Sequence, residues 1–422
     1  MPPDAESLTA ETEPSGKWKV LGLLAVAELL AMSLWFSASA VTQSLTEQWN
    51  LSAPTAAWLT MAVQLGFVVG ALLSALFNIS DLWEPKKVFA AGALGAAALN
   101  AAIPLFAEGV GLALFLRFWT GFALAAVYPV GMKIVATWTK KDRGLALGLL
   151  VGALAIGSAS PHLVRSIGKL ADWKHVMFTV SWLACAGGIL VLIGGNSGPF
   201  GLPKTKFRFA YILRAISDRP LRLANIGYLG HMWELFAMWT WIPIFLTAAY
   251  ASSPNHPWFA ELGYDPDRLG SLVAFFVIAM GGAGSLVAGR MADRVGRSLT
   301  TIYSMAISGV CALTIGLLWR HPVALTIVAL IWGASVLADS AQFSSAVSEL
   351  AETEYMGTML TAQTSMGFLL TLITIRLLPN AVEMVSWRWA FAFLALGPAV
   401  GCWAMWALKS SPDAARMAGG KG

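Results

Sequence analysis

Long apolar runs separated by short polar stretches set the pattern of this chain. Runs of about 20 mainly apolar residues, the length that crosses ~30 Å of hydrocarbon as a helix, predict twelve spans. They lie near residues 18–41, 56–77, 88–107, 110–132, 144–164, 175–195, 221–248, 268–289, 299–319, 322–346, 356–378 and 388–408. No soluble domain interrupts them. The expected organisation is a disordered tail over 1–17, a six-helix bundle over 18–195, a linker over 196–220, a second six-helix bundle over 221–408 and a short tail over 409–422. The fold class is therefore read as an all-α membrane protein with twelve transmembrane helices in two six-helix bundles.

Composition agrees with the pattern. Of the 422 residues, 57% are hydrophobic and 12% charged, whereas soluble domains carry about a quarter charged residues. The first sixteen residues, MPPDAESLTAETEPSG, lack the basic start and apolar run of a signal peptide and read as an acidic, disordered tail. Most of the 28 basic residues fall in loops on one side of the predicted spans. By the positive-inside rule both termini are expected in the cytoplasm, with the protein multi-pass in a bacterial inner membrane. That asymmetry also explains the net charge of +5, so the basic balance gives no reason to expect a nucleic-acid partner. Cys185, Cys311 and Cys402 each fall inside a span without ligand spacing and read as small buried hydrophobes. There is no GxxxxGK[ST] loop, nucleophile elbow or His/Cys metal cluster. Neither an enzyme nor ATP as the energy source is expected, and no cofactor or metal is called for.

The two halves of the pattern repeat. Glu28 in AELLAMSLWF has Met four residues on and Trp seven residues on, and so does Glu234 in WELFAMWTWI, 206 positions later. Gly121 is answered by Gly333 and Asp81 by Asp293, both at an offset of 212, and Gly144-Gly148-Gly152 by Gly357-Thr361-Ser365 at 213. Small residues at every fourth position let helix backbones approach closely in lipid. The offset implies a duplicated six-helix unit whose copies insert with the same topology, related by an axis along the membrane normal.

The most specific motif is GRMADRVGR, Gly289 to Arg297, between spans eight and nine. It matches the G-x-x-x-D-R-x-G-R loop of the major facilitator superfamily, which this chain resembles over essentially its whole length. RFWTG, Arg117 to Gly121, is similar to that family's fourth-helix Arg-x-x-x-Gly element, and KKDRGLALG, Lys140 to Gly148, to its entry into helix five. The first-half loop SALFNISDLWEPKK keeps Asp81 and the lysines but lacks the glycine and first arginine, and GSASPHL, Gly157 to Leu163, stands where an antiporter-type Gly-Pro pair would be. The resemblance implies a secondary transporter working by rocker-switch alternating access on a small-molecule substrate, expected as a monomer in the bilayer. Asp293 is expected to begin a helix, with its charge at the positive end of the helix dipole. Asp293, Arg294, Arg297 and Asp81 are candidates for a conformational latch, with Glu349, Glu352 and Glu354 as acidic partners; simple anchoring of the loops in the cytoplasm is the alternative.

Carboxylates at mid-bilayer cost at least ~2.5 kcal/mol on insertion scales and are functional candidates by default. The resemblance implies that helices one, four, seven and ten line a central cavity, and these carry Glu28, Arg117, Glu234 and Asp339. A desolvated carboxyl group favours its neutral form, so Glu28, Glu234, His231 and Asp339 are candidates for proton coupling, with His231 sharing a proton with Glu234 or pairing with it. Packing across helices or pairing with a cationic substrate are the alternatives. Arg117 is expected to face span-one backbone carbonyls or to act as a relay or anion site. Trp35, Arg117, Tyr128, Trp241 and Gln342 are the candidate substrate-cavity residues, Tyr128-Pro129 resembling a helix-breaking element. Most of the 19 tryptophans fall at span ends as interfacial anchors. Spans two and eight lack the arginines of nitrate-type members, so nitrate is not expected, and with three or more acidic groups against one arginine the cavity is expected to favour cations or neutral solutes unless the carboxyls are protonated. RFAYILRAISDR in the linker reads as an amphipathic helix on the inner leaflet. The predicted function is proton-coupled transport; an uncoupled facilitator and a non-transporting membrane sensor are the rivals.

Overall fold

A computed structural model describes residues 14–77, 79–139, 143–167, 172–200, 209–253, 265–352 and 354–422. Among them eleven helices are long and apolar enough to cross a membrane. The twelfth crossing, span one, is divided. It runs as helix over Lys17–Met32, breaks at residues 33–36, and resumes as the short helices Ser37–Ala40 and Thr42–Trp49. Spans two to six are Ala53–Leu76, Pro85–Phe106, Val110–Leu124 with Tyr128–Trp138, Arg143–Ile167 and Trp173–Gly194. Spans seven to twelve are Arg219–Ala251, Pro266–Val295, Arg297–Thr314, Pro322–Ala338 with Ser340–Leu350, Met356–Ala390 and Leu396–Lys409.

Helix starts follow from local sequence. Proline occupies the first turn of spans two, three, seven, eight and ten, where its missing N–H costs nothing. The Ser52 side chain accepts from the Thr55 N–H at the start of span two, and Asp265 accepts from the backbone N–H groups of Asp267 and Arg268 at the start of span eight. These contacts satisfy donors left open at a helix N-terminus.

The duplication is visible in packing. A Cβ on Gly121 would lie 1.8 Å from the Val63 carbonyl oxygen, and one on Gly333 would lie 1.8 Å from that of Val277. Span four thus presses on span two as span ten presses on span eight, backbone to backbone. Spans four and ten are also interrupted at corresponding places, at residues 125–127 and at Asp339. Span one breaks the symmetry, since span seven is continuous helix throughout. The halves meet where span five packs along span eight, where span two packs on span eleven, and where rings from spans one and seven touch.

Three expectations are corrected. The linker holds two single turns, Phe209–Ile212 and Arg214–Ser217, instead of one amphipathic helix. Its side chains clasp the loop between spans ten and eleven: the Tyr211 hydroxyl donates to Glu354 (2.8 Å), and Arg214 lies 3.5 Å from Glu352. A hydrogen bond with Tyr355 holds the Arg214 guanidinium above its ordinary pKa. Asp293 lies in the last turn of span eight and not at the start of a helix; Gly296, at φ 94°, makes the turn into span nine. Span eleven continues well past residue 378, its helical pattern broken at Ser386 by φ 62°.

Candidate functional site

Arg117 is fully buried in span four, and its guanidinium explains why span one can break. It donates to the carbonyls of Leu34 (2.9 Å) and Trp35, both in the break, and to the carbonyl of Leu59 in span two (3.1 Å). Ser37 Oγ (2.9 Å) and Asn100 Oδ1 (3.4 Å) complete the set. An interrupted helix in a membrane must have its freed carbonyls satisfied by protein. Arg117 does this, and its donors meet neutral acceptors. The corresponding position in the second half is Ala329, and span seven there is unbroken.

The two glutamates point into their own halves. Glu28 is fully buried, and neither carboxyl oxygen has a hydrogen-bond partner among the described residues. One oxygen lies 3.0 Å from where a Cβ on Gly131 would sit, with Leu150 and Phe89 on the same spot. Glu28 therefore rests against the second segment of span four, which begins at Tyr128. Glu234 accepts from Ser308 Oγ of span nine (2.5 Å) and from the indole N–H of Trp332 of span ten (2.7 Å). Glu28 and Glu234 do not meet across a gap between the halves.

His231 pairs with a different carboxylate from the one its sequence position suggests. Its Nδ1 lies 2.8 Å from Asp339 Oδ1, a close polar contact aligned too poorly to count as a hydrogen bond. Asp339 sits in the interruption of span ten. His231 in turn lies beside Tyr228, with ring centroids 6.0 Å apart.

Of the proposed cavity residues, Trp35 lies where the halves meet. Its ring is 5.0 Å from Phe67 (span two), 5.9 Å from Phe236 (span seven) and 5.5 Å from Phe368 (span eleven). Phe36 and Trp239 extend the cluster, 5.9 Å apart. Trp241 and Gln342 lie elsewhere. The Trp241 indole donates to the Ile375 carbonyl (3.1 Å) and its ring neighbours Trp387, all within the second half. Gln342 accepts from Arg297. Sequence reading missed Phe36, Phe67, Phe236, Trp239 and Phe368, because aromatic residues in apolar spans carry no sign of which face meets the other half. It also missed His162, fully buried with both ring nitrogens unpartnered among the described residues.

The latch residues divide. Arg297 grips Glu349 with two hydrogen bonds (2.8 and 2.6 Å) and Gln342 with a third (2.9 Å). These residues belong to spans nine and ten, so they tie the second half to itself. Asp293 and Arg294 are exposed, and among the described residues their side chains take part in no ion pair. The Asp81 side chain lies outside the described residues. The neighbouring lysines turn to Glu84, at 3.3 Å for Lys86 and 3.1 Å for Lys87, and the Lys87 contact holds the Glu84 carboxyl below the usual carboxylate range.

A clasp between the halves occurs on the opposite face, the one away from the chain ends. Arg165, in the last turn of span five, donates to Asp267 in the first turn of span eight (2.6 Å) and to the Ala40 carbonyl (2.8 Å). Arg268 donates to the carbonyls of Ser166 (2.6 Å) and Ile167 (3.3 Å). An anion thus sits at the N-terminus of one helix and a cation at the C-terminus of the other, where helix dipoles favour each. Above the clasp opens a polar cavity of about 540 Å³ lined by Gln43, Ser44, Glu47, Gln48, Arg165, Trp173 and Asp267.

Two pseudo-symmetric six-helix bundles, charges buried on spans one, four, seven and ten, and a clasp between the halves together describe a multi-pass membrane protein. The model of the Major Facilitator Superfamily matches residues 23–373 and 245–422, and the chain belongs to that superfamily. It is 25% identical over 238 residues to YgaY of Escherichia coli (strain K12), described as an uncharacterized transporter; the alignment covers 54% of this chain and 57% of YgaY. Among solved structures, the nucleoside transporter NupG superposes with a TM-score of 0.68 at 15% identity, over 92% of this chain and 99% of NupG. A bacterial homologue of the human lysosomal transporter Spinster, inward-facing and unoccupied, gives 0.68 at 11% identity, over 93% and 97%. At such identities the likeness is one of fold.

Proposed function

We propose that this protein is a secondary active transporter that moves a small organic solute across a bacterial inner membrane by alternating access, driven by protons. The observation that carries the reading is that titratable groups sit at the interruptions of spans four and ten. Glu28 rests against the resumed segment of span four, and Asp339 occupies the interruption of span ten with His231 beside it. Interrupted backbone in a membrane lines protein or water-filled cavities, so these are the places where hydration changes as the halves rock. A carboxylate without donor or counter-ion is costly in a dry site, and Glu28 has neither among the described residues. A proton accompanies it while the site is sealed and leaves when water enters.

Tyr128 begins the span-four segment on which Glu28 rests, and Tyr228 lies beside His231. Glu234 adds a further carboxyl group, held by Ser308 and Trp332. The face carrying the chain ends is taken as cytoplasmic. The Arg165–Asp267 and Arg268 contacts then close the outer side, and opening outward requires them to part.

The test is transport by purified protein in proteoliposomes, using a solute found by thermal-shift screening, since a ligand of the folded state raises apparent stability. An imposed pH gradient is expected to drive accumulation. Glu28→Gln and Asp339→Asn are expected to abolish accumulation while counterflow exchange persists. Counterflow without accumulation in the unaltered protein would identify an uncoupled facilitator instead, and neither activity with any binding solute would identify a sensor.

A further inference from the structure

The ring cluster between the halves is more than packing. It joins Trp35 and Phe36 of span one, Phe67 of span two, Phe236 and Trp239 of span seven and Phe368 of span eleven, with successive centroids 5.0 to 6.2 Å apart. All six are buried. The indole nitrogens of Trp35 and Trp239 have no acceptor among the described residues. One turn before Phe67, Gln64 is also fully buried. Its amide meets the Thr371 hydroxyl of span eleven (2.6 Å), and its amide nitrogen has no partner among the described residues. Three buried donors are thus unspent in one region, and an indole N–H can only donate. Buried polar groups in folded proteins are nearly always paired, so unpaired ones call for an explanation.

Charge narrows the class of ligand. Glu28 lies against Gly131, Phe89 and Leu150, while Glu234 is held by Ser308 and Trp332. Asp339 is held by His231, and the guanidinium of Arg117 is spent on neutral acceptors. The cluster therefore offers aromatic faces and donors, while these three carboxylates are placed against other residues. We propose that this cluster is the substrate site and takes planar organic solutes that present hydrogen-bond acceptors and carry no positive charge, read by Trp35, Trp239 and Gln64. This inference rests on the transporter reading, in which the halves part and admit a planar ring between the existing ones. Of the cation or neutral solute expected from the sequence, it sets the cation aside.

Binding to the purified full-length protein in detergent tests it without any ion gradient, so failure of proton coupling leaves the result interpretable. Nicotinamide and benzoate serve as neutral and anionic planar probes, and benzyltrimethylammonium as the cation that an aromatic cage would otherwise favour. At least one planar acceptor probe is expected to raise the thermal midpoint with rising concentration, and the ammonium is not. Trp35→Phe and Trp239→Phe, which keep a ring and remove the N–H, are expected to weaken binding by about tenfold each in calorimetric titration, the effect of one hydrogen bond. Gln64→Met, which removes the amide at similar volume, gives the same readout should a tryptophan variant not fold. Stabilisation by the ammonium alone, no response to either planar probe, or unchanged affinity in the folded variants would overturn the proposal.

Discussion

Removal of the guanidinium of Arg117 would strand the carbonyls of Leu34, Trp35 and Leu59 together with Ser37 and Asn100. Each buried group left unpaired costs about 1–3 kcal/mol. Arg117→Ala is therefore expected to lower the thermal unfolding midpoint in detergent by many degrees. Arg117→Lys, a single ammonium in place of a planar fork, is expected to recover only part of it. A variant as stable as the unaltered protein would show that the break in span one is held by other contacts. Burial of Glu28 and Glu234 was legible from their depth in apolar runs. Their partners were not, because the i, i+4, i+7 stripe gives a face of a helix and not what packs against it. His231, three residues from Glu234 in sequence, turns instead to Asp339.

Helix-to-helix contact depends on residues with no chemistry of their own. A methyl group on Gly121 or Gly333 would be placed 1.8 Å from a backbone oxygen of the neighbouring span, and neither backbone can yield without opening the pair. Gly121→Ala and Gly333→Ala are each expected to destabilise by about 1–3 kcal/mol, the usual range for overpacking, read as a lower unfolding midpoint and reduced folded yield. Gly95→Ala, with open space at its Cβ, is the control and is expected to be near neutral. The interruption of span four was legible from Tyr128-Pro129. That of span one was not: SLWF, residues 33–36, contains neither glycine nor proline, and its broken form is sustained by an arginine 82 positions away.

At the scale of the whole molecule, the clasp of Arg165, Asp267 and Arg268 is the contact between halves that an opening of that face must break. Asp267→Asn removes one charge from a 2.6 Å pair and leaves Arg165, only 5% exposed, with its remaining carbonyl partner. A hydrogen bond to a charged group contributes about 1.5–3 kcal/mol, equivalent to a roughly ten- to hundredfold shift in the open population. Faster amide hydrogen exchange is expected over residues 160–167 and 266–272, with the rest of the chain unchanged. Exchange equal to that of the unaltered protein would exclude the pair as a determinant of closure. The sequence directed attention to GRMADRVGR, yet its Arg297 binds Glu349 within the same half. Arg165 and Asp267 carry no motif, and they meet because span five runs antiparallel along span eight.

The sequence alone determined the number of crossings, the duplication and the burial of charges on spans one, four, seven and ten. Each of these follows from the cost of placing polar groups in hydrocarbon, which acts on every residue by its position along the chain. Only the tertiary structure decided which carboxylate His231 meets, where span one breaks, which rings join the halves and which face is clasped. Those outcomes depend on contacts between residues as far apart in the chain as Trp35 and Phe368, and such pairs are selected by how helices pack in space.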